Sequence, residues 1–555
     1  MADSKDTIEI RPESLSGSEK RHGEDSAEVK ERILQQEALQ NTEPPNYSLD
    51  EIATQPSVFD DPEKAKHFQP TEKYENLHRF DPSARWTWAE ELPLINKLDW
   101  KITLWACIAF FALDLDRGNL TQANTDNFLE DLGLTTNDYN LGNTIFRLVF
   151  LIAELPSQLV SKKVGKWIPT IMVLWSLVAA SQFWLNSRAT FLATRALLGL
   201  LQGGFIPDIS YFFKGTELPF RLALFWATLN IVDIVAPILA FGILRLRGYQ
   251  GREGWRWLFL IEGLFTLTVG LWSWFMMAPS PTQTRSWYRP KGWFNEREEV
   301  IMVNRILRDD PSKGDMHNRQ AVDFKRLWKS LCDFDLWPIY IAGLVFALPV
   351  GPPAQYLTLT LRGLGFDTFN SNLLTIPSVA LGTITMLVLT YLSEALNERA
   401  LMGLFAQLWI LPNIIALAVL PSSASPWVKY AVVSIMLAYP YPHAIQVGWC
   451  SRNSNTVRAR TVSAAAYNMF VQVSGIVYSN IYRADDRPLY RRGNRQLAAI
   501  CGGNIVIYIL IKLYYIWRNK QRDREWDAMT REEQIHYLET TTDEGSKRKD
   551  FRFAH

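Results

Sequence analysis

ITLWACIAFFALDLDRGNL, residues 102–120, is almost wholly apolar for its first twelve positions and then sets Asp114, Asp116 and Arg117 within four. A helix this greasy belongs in a bilayer, where an isolated charge is costly, so charges on it must face protein and one another. The mean hydropathy of −0.06 nevertheless resembles that of a soluble chain.

That mean hides a segregation. Residues 1–99, 278–335 and 518–555 hold most of the Lys, Arg, Asp and Glu, and the remainder is apolar and aromatic. A span needs about 20 apolar residues, which leaves room for about twelve. They fall near 101–122, 139–161, 166–186, 189–212, 220–244 and 255–277, then near 336–361, 371–393, 400–420, 427–448, 459–482 and 496–517. The expected architecture is an all-α membrane protein with a six-helix half at 101–277, a central loop at 278–335 and a second six-helix half at 336–517. Residues 1–85 have the composition of a disordered tail. WTWAEELPLINKLDW (86–100) mixes Trp and Leu with Glu and Lys, as would a helix lying at the membrane surface, and 518–555 is a C-terminal tail.

Other classes find no support. A net charge of +1 without a basic stripe gives no footprint for nucleic acid. Cys107, Cys332, Cys450 and Cys501 lie far apart and form neither a metal-site spacing nor a disulfide framework. No nucleotide-binding, zinc-hydrolase or serine-hydrolase motif occurs, so neither an enzyme nor a cofactor is expected.

No signal-peptide pattern precedes the first span, which places the N-terminal segment in the cytosol, and an even number of spans returns the C-terminus there. The loops agree only in part. SKKVGK (161–166) and the loop with Arg452, Arg458 and Arg460 are basic and would be inside, while the loop with Asp126, Glu130, Asp131 and Asp138 is acidic and would be outside. The expected outer loops near Arg245, Arg247 and Arg252, and near Arg487, Arg491, Arg492 and Arg495, are also basic and would draw anions toward an entrance.

DRGNL at 116–120, AELPSQL at 153–159, RALLG at 195–199 and GWRWLFLIEG at 254–263 mark the first half. PSPTQT at 279–284, RILRDDPSKGDMHNR at 305–319 and YLTLTLRGLGFDT at 356–368 continue through the centre. On these stretches the chain resembles, over roughly residues 85–520, the fungal allantoate, nicotinate and pantothenate permeases, an anion:cation symporter family within the major facilitator superfamily. The resemblance implies two halves rocking around a central site, cytosolic termini, and uptake of a small organic anion with protons. It also implies that Arg117 and Arg195 hold the anionic group. In the wider symporter group a Glu often follows that second Arg by seven positions; here the position is Gln202. An amide carries no proton, which leaves Asp116 as the leading proton-coupling candidate, with Asp114 and Asp233 next. SKKVGK also lacks the Asp-Arg pair common in other major facilitators.

Counted from the outer helix ends, Asp116, Arg117, Arg147, Arg195, Asp233 and Glu262 all lie on the order of 9 to 16 Å deep. They are expected to form one buried layer. The second half is nearly bare of interior charge, so it would shape the site with Gln355, Tyr356, His443, Asn468 and Gln472.

Plainer readings stand beside these. Arg117 and Arg195 could be structural partners of Asp114 or Asp116; Arg147 could touch substrate or pair with Asp233. Glu154, two turns below Arg147 and near Lys162 and Lys163, reads as part of a cytosolic gate. Glu262 reads as a structural partner of Arg256 or of a neighbour, and His443, after YPYP, as a hydrogen-bonded packing residue. GLLQGG (199–204) would let the fourth helix pack closely on a neighbour.

The sequence is thus read as a monomeric, proton-coupled importer of a small organic anion (a carboxylate, ureide, vitamin acid or sulfonate) in the plasma membrane bilayer. A transporter-like nutrient sensor, or an exporter or vacuolar carrier of the same fold, is the alternative.

Overall fold

Within a bilayer each backbone N–H and C=O must be satisfied inside its own segment, so apolar runs of this length become helices. The computed structural model describes residues 48–555 apart from 67, 71, 73, 164–165, 204, 206–211, 215–216, 279, 312–327, 329–331, 455–456, 488 and 541–544. In it the first half comprises α1 (Leu104–Ala123), α2 (Thr136–Lys163), α3 (Trp167–Ser181), α4 (Arg188–Gln202), α5 (Leu218–Ile243) and α6 (Gly254–Met276). The second half begins with α7 in three pieces (Trp337–Val345, Gly351–Gln355, Leu357–Gly363), followed by α8 (Ile376–Ala395) and α9 (Ala400–Val419). It closes with α10 in two pieces (Pro426–Leu437, His443–Ser454), α11 (Val457–Tyr478) and α12 (Arg491–Asp527).

By length and composition, six described stretches could each cross a membrane: those containing α3, α5, α6, α8, α9 and α12. The others are interrupted or carry the polar groups that the fold turns inward. The breaks have local causes: Pro352 and Pro353 interrupt α7, and the YPYP run of 439–442 divides α10, because proline lacks an N–H and clashes with the preceding turn. Gly199 and Gly203 behave as small residues at a helix contact would. A Cβ on Gly199 would meet the backbone carbonyl of Phe146, and one on Gly203 would lie 2.6 Å from that of Phe150, so α4 rests directly on α2.

The apolar core shows how the halves meet. At the face opposite the chain termini, one continuous cluster draws on both, including Phe128, Phe191 and Trp255 from the first and Tyr356, Ile410 and Tyr482 from the second. Toward the terminal face the two halves have separate clusters, that of the first around Trp105, Met172 and Trp175 and that of the second around Tyr340, Trp449 and Tyr467. Hydrogen bonds lace the sealed end: Asn140 Nδ2 donates to the Tyr482 carbonyl (2.6 Å), Thr358 Oγ1 to the Thr121 carbonyl (2.8 Å) and Asn480 Nδ2 to Thr144 Oγ1 (2.8 Å).

The terminal face departs from expectation. Of the segment 1–85 read as a disordered tail, residues 1–47 lie outside the described residues, but much of 48–85 is folded. Val58, Phe59, Phe68 and Tyr74 pack on Val303 and Leu307 of a central-loop helix, Glu296–Asp309. Arg308 pairs with Asp60, and Arg79 with Glu299 (2.9 Å). Composition suggested disorder because the apolar anchors are sparse; they suffice because the central loop supplies the other half of the cluster. The helix expected on the membrane surface, Trp88–Leu98, turns Trp88, Leu94 and Leu98 into the protein instead. Trp86 does likewise and donates to Glu91 (2.7 Å), leaving Trp100 exposed. The C-terminal segment is also packed: Phe553 joins the second-half core, and Trp449 donates to the Ala554 carbonyl (2.7 Å).

Outward-facing apolar side chains, such as Ile384, Leu387 and Val388 on α8 and Leu510 and Leu513 on α12, are exposed as lipid contacts require. Exposed Trp100, Trp337 and Trp517 at one end, and Trp184 and Trp427 at the other, suit the two membrane interfaces.

Candidate functional site

Helix geometry splits the opening triplet. Residues three apart share a face, whereas successive residues turn by about 100°. Asp114 and Arg117 therefore lie together on one side of α1, half-buried, while Asp116, 1% exposed, points to the other side toward Trp175 of α3 and Thr266 of α6. The expected single layer of mutually facing charges is thus two groups. Asp116 is not among Arg117, Arg147 and Arg195; its charged neighbour is Glu262, 2% exposed. Glu262 in turn does not pair with Arg256, which binds Glu253 (2.5 Å) and the carbonyls of Phe183 and Leu185 (2.7 Å each).

The three arginines come together between the halves. Arg117 donates to Gln202 Oε1 (3.3 Å) and lies over the Phe150 ring at 5.1 Å. Arg195, 4% exposed, donates to Asn143 Oδ1 (3.1 Å) and lies 4.5 Å from the Phe146 ring centre, with its Nε unpartnered. Arg147 reaches across to the second half, donating to the Tyr478 hydroxyl (2.6 Å) and lying over its ring. A Cβ on Gly475 would overlap its guanidinium, so glycine there leaves room for Arg147 where it crosses α11. Arg147 sits within electrostatic reach of both other arginines.

Among the described residues no acid lies within ion-pair distance of Arg117, Arg147 or Arg195. The structural-bridge readings, Arg117 or Arg195 with Asp114 or Asp116 and Arg147 with Asp233, are therefore not what the structure holds. Asp114 is an electrostatic neighbour of both Arg117 and Asp233. Asp233 remains exposed at mid-helix, and Asp114, Arg117 and Arg147 are half-exposed, so they border a polar space between the halves. Glu154, 6% exposed, lies between Arg117 and Asn468 of α11; the side chains of Lys162 and Lys163 lie outside the described residues. Gln202 is buried with its Nε2 unpartnered.

The second-half candidates divide. Gln355 accepts from Ser479 (3.3 Å) and keeps an unpartnered Nε2; Asn468 and Gln472 are half-buried on α11. His443 Nδ1 lies 3.2 Å from the Tyr467 hydroxyl, which donates to Gln446 Oε1 (2.7 Å). Tyr356 is placed elsewhere. Its hydroxyl donates to Asn140, and its ring packs with Tyr139, Tyr482 and Tyr490 inside the seal, where Tyr139 stands between it and Arg195 as an electrostatic neighbour of that arginine.

Asn143, Tyr478 and Gly475 escaped the sequence reading. Asn143 stands one turn before Arg147 and was open to a periodicity argument; the other two meet Arg147 only through the fold. The basic loops are partly neutralised: Arg247 pairs with Asp126 (3.0 Å) and Asp131 (3.3 Å), and Arg492 with Asp485 (2.8 Å). Arg245 stacks on Phe241 and Phe369, and Arg491 caps the Leu420 carbonyl (2.9 Å).

Comparison with known proteins gives the same architecture. Residues 106–479 match the Major Facilitator Superfamily. An uncharacterized transporter of Saccharomyces cerevisiae is 47% identical over 90% of this chain and 94% of its own. The major facilitator-type transporter hxnP of Emericella nidulans is 24% identical, over 79% of this chain and 88% of its own. A bacterial homologue of the human lysosomal transporter Spinster superposes with a TM-score of 0.56 at 14% identity, covering 74% of this chain and 96% of that one. The nucleoside transporter NupG does so at 0.52 and 11%, covering 74% and 99%. With two helical halves around a charged polar space, this chain is a membrane transporter belonging to the major facilitator superfamily.

Proposed function

We propose that the protein imports a small organic anion together with protons by alternating access, in the manner of the allantoate, nicotinate and pantothenate permeases it resembles. One observation carries the reading: three guanidinium groups gather between the halves without an ion-pair partner among the described residues. Like charges held this close at membrane depth call for an anion, and a planar guanidinium grips a carboxylate or sulfonate through two hydrogen bonds. Asp114 and Asp233, which border the same space, and Asp116 behind it are the acids available for proton coupling. Glu154 stands where a terminal-face gate would close on Asn468. The protein works as a monomer in the plasma membrane, with both termini cytosolic, so that the sealed end faces outward.

Expression in a transporter-deficient yeast, screened for growth and labelled uptake on single nitrogen, sulfur or vitamin sources, tests this. Accumulation of an organic anion that rises when the outside is acidified supports it. Signalling without flux favours a sensor, and efflux or vacuolar residence favours an exporter; each would overturn it.

A further inference from the structure

Asp116 and Glu262 form a second polar site, walled off from the arginines. Both side chains are buried, at 1% and 2% exposure, on the seam where α1 packs on α6 and α6 on α3. Neither oxygen of Asp116 has a close hydrogen-bond partner, nor does Oε2 of Glu262. Two buried donors beside them are also unpartnered: Nδ2 of Asn119, next to Glu262 and 2% exposed, and Nε1 of Trp175, next to Asp116 and fully buried.

The surrounding groups are few. From α1 comes Asn119, from α3 Trp175, and from α6 Thr266, whose hydroxyl is within reach of the backbone carbonyls of Glu262 (3.1 Å) and Ala112 (3.4 Å). On α5 the acid is Asp233, which faces Asp114 instead. Arg117 points to the other side of α1, and Arg256 is committed to Glu253 and two carbonyls. Among the described residues no cation pairs with either carboxyl. Two ionised carboxylates in one dry seam repel strongly, whereas one proton between them makes a charge-assisted hydrogen bond.

We propose that Asp116 and Glu262 share a proton across the α1–α6 seam, with Asn119 and Trp175 as donors to the remaining charge, and that this pair is a proton-coupling element of transport. The proton leaves or joins as one unit of charge, and no other bond is made or broken. Because Arg117 is the next residue after Asp116, a seam that tightens or parts with the proton count moves Arg117 at the cavity. The coupling role rests on the proton-coupled reading above; the shared proton itself does not.

The test is infrared titration of carboxyl bands in the full chain reconstituted in liposomes, for wild type, Asp116→Asn and Glu262→Gln. In each single variant the titration midpoint of the remaining carboxyl should move by about one pH unit or more, a tenfold change in proton affinity. Unmoved midpoints would overturn the pair. The wild type alone offers a check that needs no variant: a shared proton titrates in two separated steps, and a single step would overturn it. In parallel, Glu262→Gln vesicles given the anion found by the uptake screen should still exchange it, yet lose the roughly tenfold accumulation that one pH unit supports per proton. Shifted midpoints in a chain whose wild type accumulates nothing would sink the proton-coupled reading and leave the pair standing. Proton-driven accumulation with unmoved midpoints would do the reverse.

Discussion

Asp116 and Arg117 are adjacent in sequence and, turned about 100° from one another, serve different faces of the same helix: the carboxylate enters a sealed seam with Glu262, and the guanidinium enters the polar space and donates to Gln202 at 3.3 Å. α1 therefore carries both groups on one rigid body, and a change on one side is felt on the other.

Arg195 is held by Asn143 and the Phe146 ring, with its Nε unpartnered. A lysine keeps the charge and loses the planar fork. Arg195→Lys should reach the membrane and lose roughly ten- to a hundredfold in uptake, the scale of one or two charged hydrogen bonds. Kinetics at matched surface expression decide this; wild-type uptake would reduce Arg195 to a packing charge.

Glycine contacts separate site from scaffold. At Gly475 an added Cβ meets the end of a flexible Arg147 side chain, so Gly475→Ala should fold normally and weaken transport by displacing Arg147 from Tyr478. At Gly199 the Cβ meets the Phe146 backbone, which cannot yield; Gly199→Ala should cost about 1–3 kcal/mol of stability. Thermal unfolding in detergent, read alongside uptake, distinguishes the two effects.

The terminal face holds a buried ion cluster. Glu91 bonds Lys214 (2.7 Å) and Arg305 (2.9 Å), and Arg305 also binds Glu217. Burial pushes the Glu91 carboxyl up, but Arg305 and Lys214 outweigh it and hold it below the ordinary value of 4.5. The sign follows: a carboxyl depressed in the folded state adds stability above its unfolded value, and that stability is lost as pH falls through the folded one. Glu91→Gln should lower stability at neutral pH by about 3–5 kcal/mol, because two buried cations lose a partner. It should also flatten the decline of the unfolding temperature below about pH 4.5. A pH series of melting curves for both proteins is the measurement; parallel curves would remove Glu91 from the account.

Tyr356 belongs to the seal. Tyr356→Phe keeps the ring among Tyr139, Tyr482 and Tyr490 and deletes the donor to Asn140. The expected outcome is a population shift toward opening at that face, seen as longer distances between spin labels placed at Glu130 and Asp485. If the distances stay put while the Michaelis constant rises, Tyr356 is a substrate contact after all.

By itself the sequence determined the membrane class, the six-plus-six arrangement and the concentration of intramembrane charge in the first half, because apolar length and charge placement along a helix are properties of the local chain. It also contained the split of the triplet, since Asp114 and Arg117 are three apart and Asp116 is not in step with them. Only the tertiary structure decided what each face meets. Glu262 lies far from Asp116 in sequence and joins it because α6 packs on α1; Tyr478 reaches Arg147 because α11 crosses α2 at a glycine. The fold of the described part of residues 48–85 was hidden for the same reason: its anchors find their partners, Val303 and Leu307, in the central loop. Local pattern sets which residues avoid lipid, and packing of distant segments chooses the partners they find instead.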